Sequence, residues 1–293
     1  MRRPPTRRAA RALVASAALF AAAALPAASA HAASAPRALS PGDHYETLVV
    51  GGLARDFVLH VPPGPAVKNR PLLLIYHGHT DTAESTERMT DFSQVADQKG
   101  EVLAYLQGVN NAWNEQAGSG PNQGVNDVAY STAVIKQIEA LIGFDHKRIV
   151  AVGFSNGAEM VEDLGCKLAT TLAMVVPVEG ELAKTTAATC KPGRSIGVYE
   201  IHGTADASIY YNGGPINGHG VVVLSAPASI ARWAQLDHCA VTPKTTTPTS
   251  NVKLTRYLRC RNRVQVTLRT IIGGVHQWGS NVGVVVAAAL PPA

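Results

Sequence analysis

The segment that most constrains this chain is Gly153-Phe154-Ser155-Asn156-Gly157. A β-branched run, Arg148 to Val152, leads into it, and a helix is predicted to start at Asn156. A G-x-S-x-G sequence between a strand and a helix has the form of a nucleophile elbow. Its two glycines permit a tight turn, so the serine oxygen stands above the end of a sheet, and the new helix directs its N-terminal amides at the same point. Such an elbow requires parallel strands beneath it and helices around it.

The rest of the sequence supplies both. Tyr45 to Val50 and Asp56 to Val61 read as strands around Gly51-Gly52, a hairpin signal. Pro71 to Tyr76 is continuously apolar, as expected of a strand buried on both faces. A helix-compatible stretch spans about Ser85 to Lys99, and the next strand spans Glu101 to Leu106. Residues 107–126 are rich in Gly, Asn and Gln and read as a long loop carrying Trp113. Val128, Ile135, Ile138 and Ile142 recur at helical spacing. Leu172 to Val178 and Ser195 to Ile201 read as buried strands, Ser225 to Asp237 as a helix, and Val252 to Leu258 and Val264 to Ile271 as two further strands. This alternation predicts an α/β fold, a mostly parallel central sheet with helices on both faces, opened by an antiparallel hairpin. There is no internal repeat.

The chain of 293 residues begins with a basic head, Arg2, Arg3, Arg7, Arg8 and Arg11, followed by an apolar run from Ala12 to Leu25. Small residues frame cuts after Ala30 or Ala32. Residues 1–32 are therefore expected to be a removable signal peptide; the apolar run falls short of the roughly 20 residues that span a bilayer. Residues 33–43 are expected to be disordered and 44–293 to form the catalytic unit. The formal charge of +5 is supplied by those five arginines, so the mature chain is neutral and offers no basic surface for nucleic acid. The expectation is a secreted monomer without a membrane anchor. An even count of four cysteines in an exported chain favours two disulfides; of three pairings, Cys166–Cys190 and Cys239–Cys260 close short loops.

A serine hydroxyl needs a base to act as a nucleophile at neutral pH. In this kind of fold the order is serine, acid, histidine. Asp206, in His202-Gly203-Thr204-Ala205-Asp206, follows a buried strand, and His276, in Gly273-Gly274-Val275-His276, follows the last one. The candidate triad is Ser155, Asp206 and His276. His202 ends a strand and reads as structural. The backbone N–H groups of His79 and Asn156 are the candidate oxyanion hole. Trp113, Tyr211 and Trp278, with Tyr210, are candidates for the substrate rim. The segment His77-Gly78-His79-Thr80-Asp81 has a metal-hydrolase spacing, but it leaves the elbow unexplained. No metal and no cofactor are expected.

With these residues in place the chain resembles the extracellular poly(3-hydroxybutyrate) depolymerase and feruloyl esterase-like family of α/β-hydrolases. The resemblance runs from about residue 45 to 279 through His77-Gly78, Ala96-Asp97, Trp113, Asn126-Asp127-Val128, the Ser155 motif, His202 to Asp206, Tyr211-Asn212-Gly213-Gly214, Trp233 with Cys239, and His276 with Trp278. It implies a secreted serine esterase acting through an acyl-enzyme on feruloyl-type or hydroxybutyrate-type esters. The chain departs from the family at His79, Leu106, Ala158 and Val275, where Cys, Pro, Gly and Gly are usual. Its tail from Gly279 is Val, Ala and Pro where relatives have an aromatic-rich helix, so an altered final helix is expected beside His276. Only 17 residues follow His276, too few for a polymer-binding module, which favours small or oligomeric esters. The second reading is a non-catalytic secreted binding protein on the same scaffold.

Overall fold

In the computed structural model, residues 39–65, 69–114, 122–216 and 220–292 are described, together with Met1. The signal-peptide segment, apart from Met1, lies outside them, as do residues 33–38, part of the 107–126 loop, and His219. Leu39 packs against the core and the first strand begins at Gly42, so order starts earlier than the sequence boundary at residue 44.

Strands β1 (Gly42–Val50) and β2 (Leu53–Val61) form the expected hairpin. Gly51 and Gly52 both have positive φ, 59° and 82°, which a two-residue turn of this hand requires. Next come β3 (Leu72–Tyr76), helices α1 (Ala83–Met89) and α2 (Phe92–Lys99), and β4 (Val102–Leu106). The single helical stretch expected over 85–99 is two helices, because Thr90 is extended and Asp91 turns its carboxylate to other amides. The chain continues through α3 (Asp127–Leu141), β5 (Ile149–Phe154), α4 (Asn156–Lys167), β6 (Met174–Val178), α5 (Lys184–Thr189) and β7 (Gly197–Gly203). Two short strands, β8 (Gly214–Pro215) and β9 (Val222–Val223), pair with each other. The last elements are α6 (Ala226–Leu236), β10 (Lys244–Thr249), β11 (Val252–Tyr257), β12 (Val266–Ile271) and α7 (Val282–Ala289).

The ten-stranded sheet has the order β1-β2-β4-β3-β5-β6-β7-β12-β11-β10. The six central strands, from β4 to β12, are parallel, and antiparallel ribbons close both edges. The sequence anticipated the first ribbon. It missed β10, because Lys244–Thr249 is exposed along its whole length and carries no apolar alternation.

Helices cover both faces. Leu72, Leu74 and Tyr76 of β3 point into one core with α3, α4 and α6, while Leu73 and Ile75 point into the other with α1, α2 and α7. Alternate side chains of a strand face opposite sides of the sheet, so a strand between two helical layers must be apolar throughout. Both expected disulfides are formed, Cys166–Cys190 and Cys239–Cys260.

A buried ion pair fixes the loop before α3. Arg55 Nη2 donates to Asp127 Oδ1 at 2.6 Å, with the two side chains 3% and 0% exposed, and Asp127 Oδ2 accepts from Asn114 N at 2.8 Å. The guanidinium also lies 3.9 Å above the Tyr130 ring. This accounts for the Asn126-Asp127-Val128 motif. Removing one partner leaves the other charged and buried, so Asp127→Ala is expected to cost about 3–5 kcal/mol, read by denaturant unfolding.

Glu162 of α4 is buried against α6, accepting from Trp233 Nε1 and Ser229 Oγ. Burial pushes its carboxyl from 4.5 up to about 8. The folded chain therefore holds a proton that the unfolded chain releases above 4.5. Its stability contribution is full below that pH and is lost as pH rises toward 8. Glu162→Gln is expected to flatten the fall in Tm across this window.

Candidate active site

The elbow forms where β5 meets α4. Ser155 adopts φ 54° and ψ −122°, a conformation that L-residues seldom occupy. It is held by the bond from Ser155 N to Val178 O at 3.0 Å, while Ser155 O accepts from Ala158 N and Glu159 N at 2.8 and 3.1 Å. The two motif glycines are required by contact. A Cβ on Gly153 would lie 2.0 Å from Gly157 O, and one on Gly157 would lie 2.3 Å from Tyr76 O and 2.6 Å from His77 O.

The acid and the base come from neighbouring strands. β7 and β12 pair in parallel, so both loops leave the same end of the sheet. The loops bond to each other: Ala205 N donates to Gly274 O at 2.8 Å and Gly273 N to Thr204 Oγ1 at 2.9 Å. Gly203 and Gly274 touch so closely that a Cβ on Gly203 would lie 2.3 Å from Gly274 O.

His276 thereby sits between two oxygens. Its Nδ1 is 2.7 Å from Asp206 Oδ2 and its Nε2 is 2.9 Å from Ser155 Oγ. Asp206 Oδ1 accepts from Ser208 N at 2.7 Å and Ile209 N at 2.9 Å. Burial alone would raise the Asp206 carboxyl. Hydrogen bonds from His202, His276 and the Ser208 amide override it and hold the group well below the usual carboxylate range. An ionised Asp206 selects the tautomer with hydrogen on Nδ1, which leaves the Nε2 lone pair for the serine hydroxyl. The arrangement can move a proton from Ser155 to His276 and stabilise the resulting imidazolium. It brings together the three residues that the sequence proposed from well-separated positions.

A cavity of about 320 Å³ opens at this point. Its wall includes His79, Ser155, Asn156, Glu159, Ala207, Ser208, Ile209, Ile216 and His276. Both candidate oxyanion residues are thus at the cavity. Ile209 and Ile216 are supported from behind by Ala183, Val221 and Val223, which gives β8 and β9 a role in shaping the wall.

Among the described residues, none of the expected rim aromatics lines this cavity. Trp113 is fully buried: its indole N–H donates to His77 O at 2.9 Å, and its backbone N–H donates to Asn156 Oδ1 at 2.7 Å. It therefore ties the elbow to the end of β3 and does not face a ligand. Trp278 is buried against Phe154 and Phe92, with ring centroids 5.2 and 5.7 Å away. Phe154 in turn lies 4.8 Å from the His276 ring, so Trp278 steadies the histidine loop. Tyr211 bonds through its hydroxyl to Thr270 Oγ1 at 2.9 Å and packs edge-on against His202. Neither it nor the exposed Tyr210 lines the cavity. Sequence could not separate these packing roles from substrate contact, since both use aromatic residues near loops.

The tail carries the altered final helix that its sequence leads one to expect. Val282–Ala289 is a helix, α7, and its first turn is held by Asp91, whose carboxylate accepts from Gly283 N at 2.7 Å.

The segment with metal-hydrolase spacing is committed elsewhere. His77 Nδ1 donates to Gly78 O at 2.7 Å, and its Nε2 accepts from Gly108 N at 2.9 Å. Burial lowers this imidazole to about 4, in keeping with a neutral ring. Among the described residues, the clusters with ligand-like spacing are Asp43–His60–Glu87 and Glu179–His202–Asp206. The second includes the triad acid. Glu179 and Glu181, which flank it, were missed in the sequence because they belong to no motif.

Known esterases resemble this chain in sequence and in fold. Residues 55–190 match the family described as Esterase PHB depolymerase. The chain is 32% identical over 232 residues to feruloyl esterase B of Piromyces equi, covering 77% of this chain and 43% of that protein. It is 27% identical over 164 residues to the bifunctional acetylxylan esterase/xylanase of Neocallimastix patriciarum, covering 55% of this chain and 22% of that protein. The chain thus spans less than half the length of these relatives. In structure it resembles the acetyl xylan esterase from Aspergillus awamori, with a TM-score of 0.58 at 16% identity, covering 76% of this chain and 89% of that one.

The close approach of Gly157 to β3 generates a prediction. Gly157→Ala places a methyl against two backbone carbonyls that cannot withdraw without breaking the sheet. The variant is expected to lose several kcal/mol, of the order seen for severe overpacking, measured as a lower unfolding midpoint or a loss of soluble protein.

Proposed function

Over residues 55–190 this chain belongs to the esterase PHB depolymerase family, with the α/β-hydrolase fold, and from that premise we propose that it is a serine carboxylic-ester hydrolase. The observation that carries the proposal is the unbroken chain of hydrogen bonds from Ser155 Oγ through His276 to Asp206.

In this reading Ser155 attacks the ester carbonyl while His276 Nε2 takes its proton. Asp206 holds the ring and stabilises its charged form. The oxyanion is met by the backbone N–H groups of His79 and Asn156, donors worth roughly 100- to 1,000-fold in rate each. His276 returns the proton to the leaving alcohol, and an acyl-enzyme remains on Ser155. Water activated by the same histidine then releases the acid and restores the serine.

The cavity favours small acyl groups. Its volume of about 320 Å³ lies at the lower end of ligand sites, and Glu159, Ser208 and His79 make part of its wall polar. Short acyl chains, including hydroxyacyl groups, and a single aromatic ring are the proposed substrates, on small or oligomeric alcohols. Export is part of the reading. The basic and apolar leader over residues 1–32 supports secretion, and the two disulfides suit an oxidising compartment. Among the described residues no helix is long and apolar enough to cross a membrane.

A fluorophosphonate probe is expected to label Ser155, and Ser155→Ala to abolish both labelling and p-nitrophenyl acetate hydrolysis. Asp206→Asn is expected to lower kcat by about 1,000- to 10,000-fold with little change in KM. Undiminished turnover in Ser155→Ala would refute the mechanism. Relative kcat/KM on methyl ferulate, p-nitrophenyl esters and hydroxybutyrate oligomers then ranks the substrates.

A further inference from the structure

The triad leaves His202 without an assignment, yet its ring lies among three buried carboxyl groups. It is fully buried near the end of β7. Its Nδ1 lies 2.6 Å from Glu181 Oε1. Its Nε2 lies 3.0 Å from Ile209 O, and 3.4 Å from both Asp206 Oδ2 and Glu179 Oε2. All four side chains are in the interior, with the residues at most 4% exposed.

The chemistry of the ring decides its charge. A neutral imidazole has one N–H and one lone pair. Here both nitrogens face oxygen acceptors, a carboxylate at Nδ1 and a carbonyl with two carboxylates at Nε2. With Glu181 and Asp206 ionised, either neutral tautomer would set a nitrogen lone pair against oxygen lone pairs in a dry interior. The imidazolium, with hydrogen on both nitrogens, is the form that suits an acceptor on each side of the ring.

Asp206 Oδ2 is the point at which this cation reaches the site. The same oxygen takes the Nδ1 hydrogen of His276, while Oδ1 is held by the amides of Ser208 and Ile209. Asp206 thus accepts from His276 and two amides, with the His202 ring 3.4 Å from its Oδ2. Without the cation, a buried Asp206 next to Glu179 would be one of two carboxyls competing to share a proton.

We propose that His202 is a positioning residue, a buried imidazolium clamped by Glu181 that keeps Asp206 ionised and aligned on His276. The proposal rests on the triad reading and adds a fourth member to it. The electrostatic balance is consistent with the geometry. Burial lowers the His202 pKa, but hydrogen bonds with Asp206 and Glu181 and the charges of Glu181 and Glu179 outweigh it and raise it to about 11. Burial raises Glu179 to about 8 and Glu181 to about 7. The other titratable groups facing the cluster are Glu200 on the same strand, Glu162 from α4 and Tyr211. None of them is a cation.

Two measurements test this. In side-chain nitrogen NMR of the labelled protein at about pH 8.5, where an ordinary histidine is neutral, His202 should show both ring nitrogens protonated. Its signals are identified by their loss in His202→Gln and, should that variant not fold, by their displacement in Glu181→Gln. In p-nitrophenyl acetate hydrolysis, folded His202→Gln should lose about tenfold or more in kcat with KM little changed, the scale of a displaced catalytic group. Glu181→Gln should lower kcat less, and add nothing in the His202→Gln background, since it acts through the imidazole. A neutral His202 at that pH overturns the proposal, and so does wild-type kcat in folded His202→Gln. Ser155→Ala and Asp206→Asn separate the two readings. If both are inactive while His202→Gln is unimpaired, only this inference fails. If Ser155→Ala remains active, the esterase mechanism fails, and the NMR still decides the charge of His202.

Discussion

The site depends on how closely the first turn of α4 approaches the end of β3. Gly157 lies against the carbonyls of Tyr76 and His77 with no room for a side chain. That contact sets the depth of the helix, and so the height at which Ser155 stands over the sheet. Gly153 makes a second contact of the same kind from the other side of the turn, against Gly157 itself. The strained backbone at Ser155 is then imposed by its surroundings. Trp113 completes the clamp by binding His77 O with its ring and Asn156 with its backbone.

The same reasoning explains why much of this fold could be read from the sequence. The buried parallel strands are continuous apolar runs because each face meets a helical layer, and Gly51-Gly52 admits the backbone of its turn. The Ser155 motif and the loops after two strands placed Ser155, Asp206 and His276 together by topology alone, since neighbouring parallel strands end at one edge. What stayed hidden depended on tertiary contact. Val282–Ala289 is rich in β-branched residues, which disfavour an isolated helix, and it forms because Asp91 holds its amides and Val282, Val286 and Ala289 are buried. The burial of Trp113 and Trp278 is likewise a matter of which loop folds over which.

The buried acids could not have been foreseen either. Glu179, Glu181 and Glu200 sit in or beside strands that otherwise read as core, where a carboxylate is costly unless it is paired or protonated. Glu181 and Glu179 are paired with His202, whereas burial pushes the Glu200 carboxyl well up toward its neutral form. Ala158 shows the opposite behaviour, a departure from the family that the fold absorbs. Its methyl packs against Gly180, where a further Cβ would come within 2.7 Å, so the bulk of one residue is matched by the absence of bulk in the other.

The bond from Asp91 to Gly283 joins positions 192 residues apart, and the histidine loop lies just before the helix it anchors. During synthesis, the strand, turn and helix around Ser155 leave the ribosome long before β12 and α7 do. On the proposed mechanism, until those last elements dock the serine has no base, and its hydroxyl is an ordinary alcohol. The timing of assembly therefore keeps a nascent chain chemically inert, and reactivity is the last property the molecule acquires.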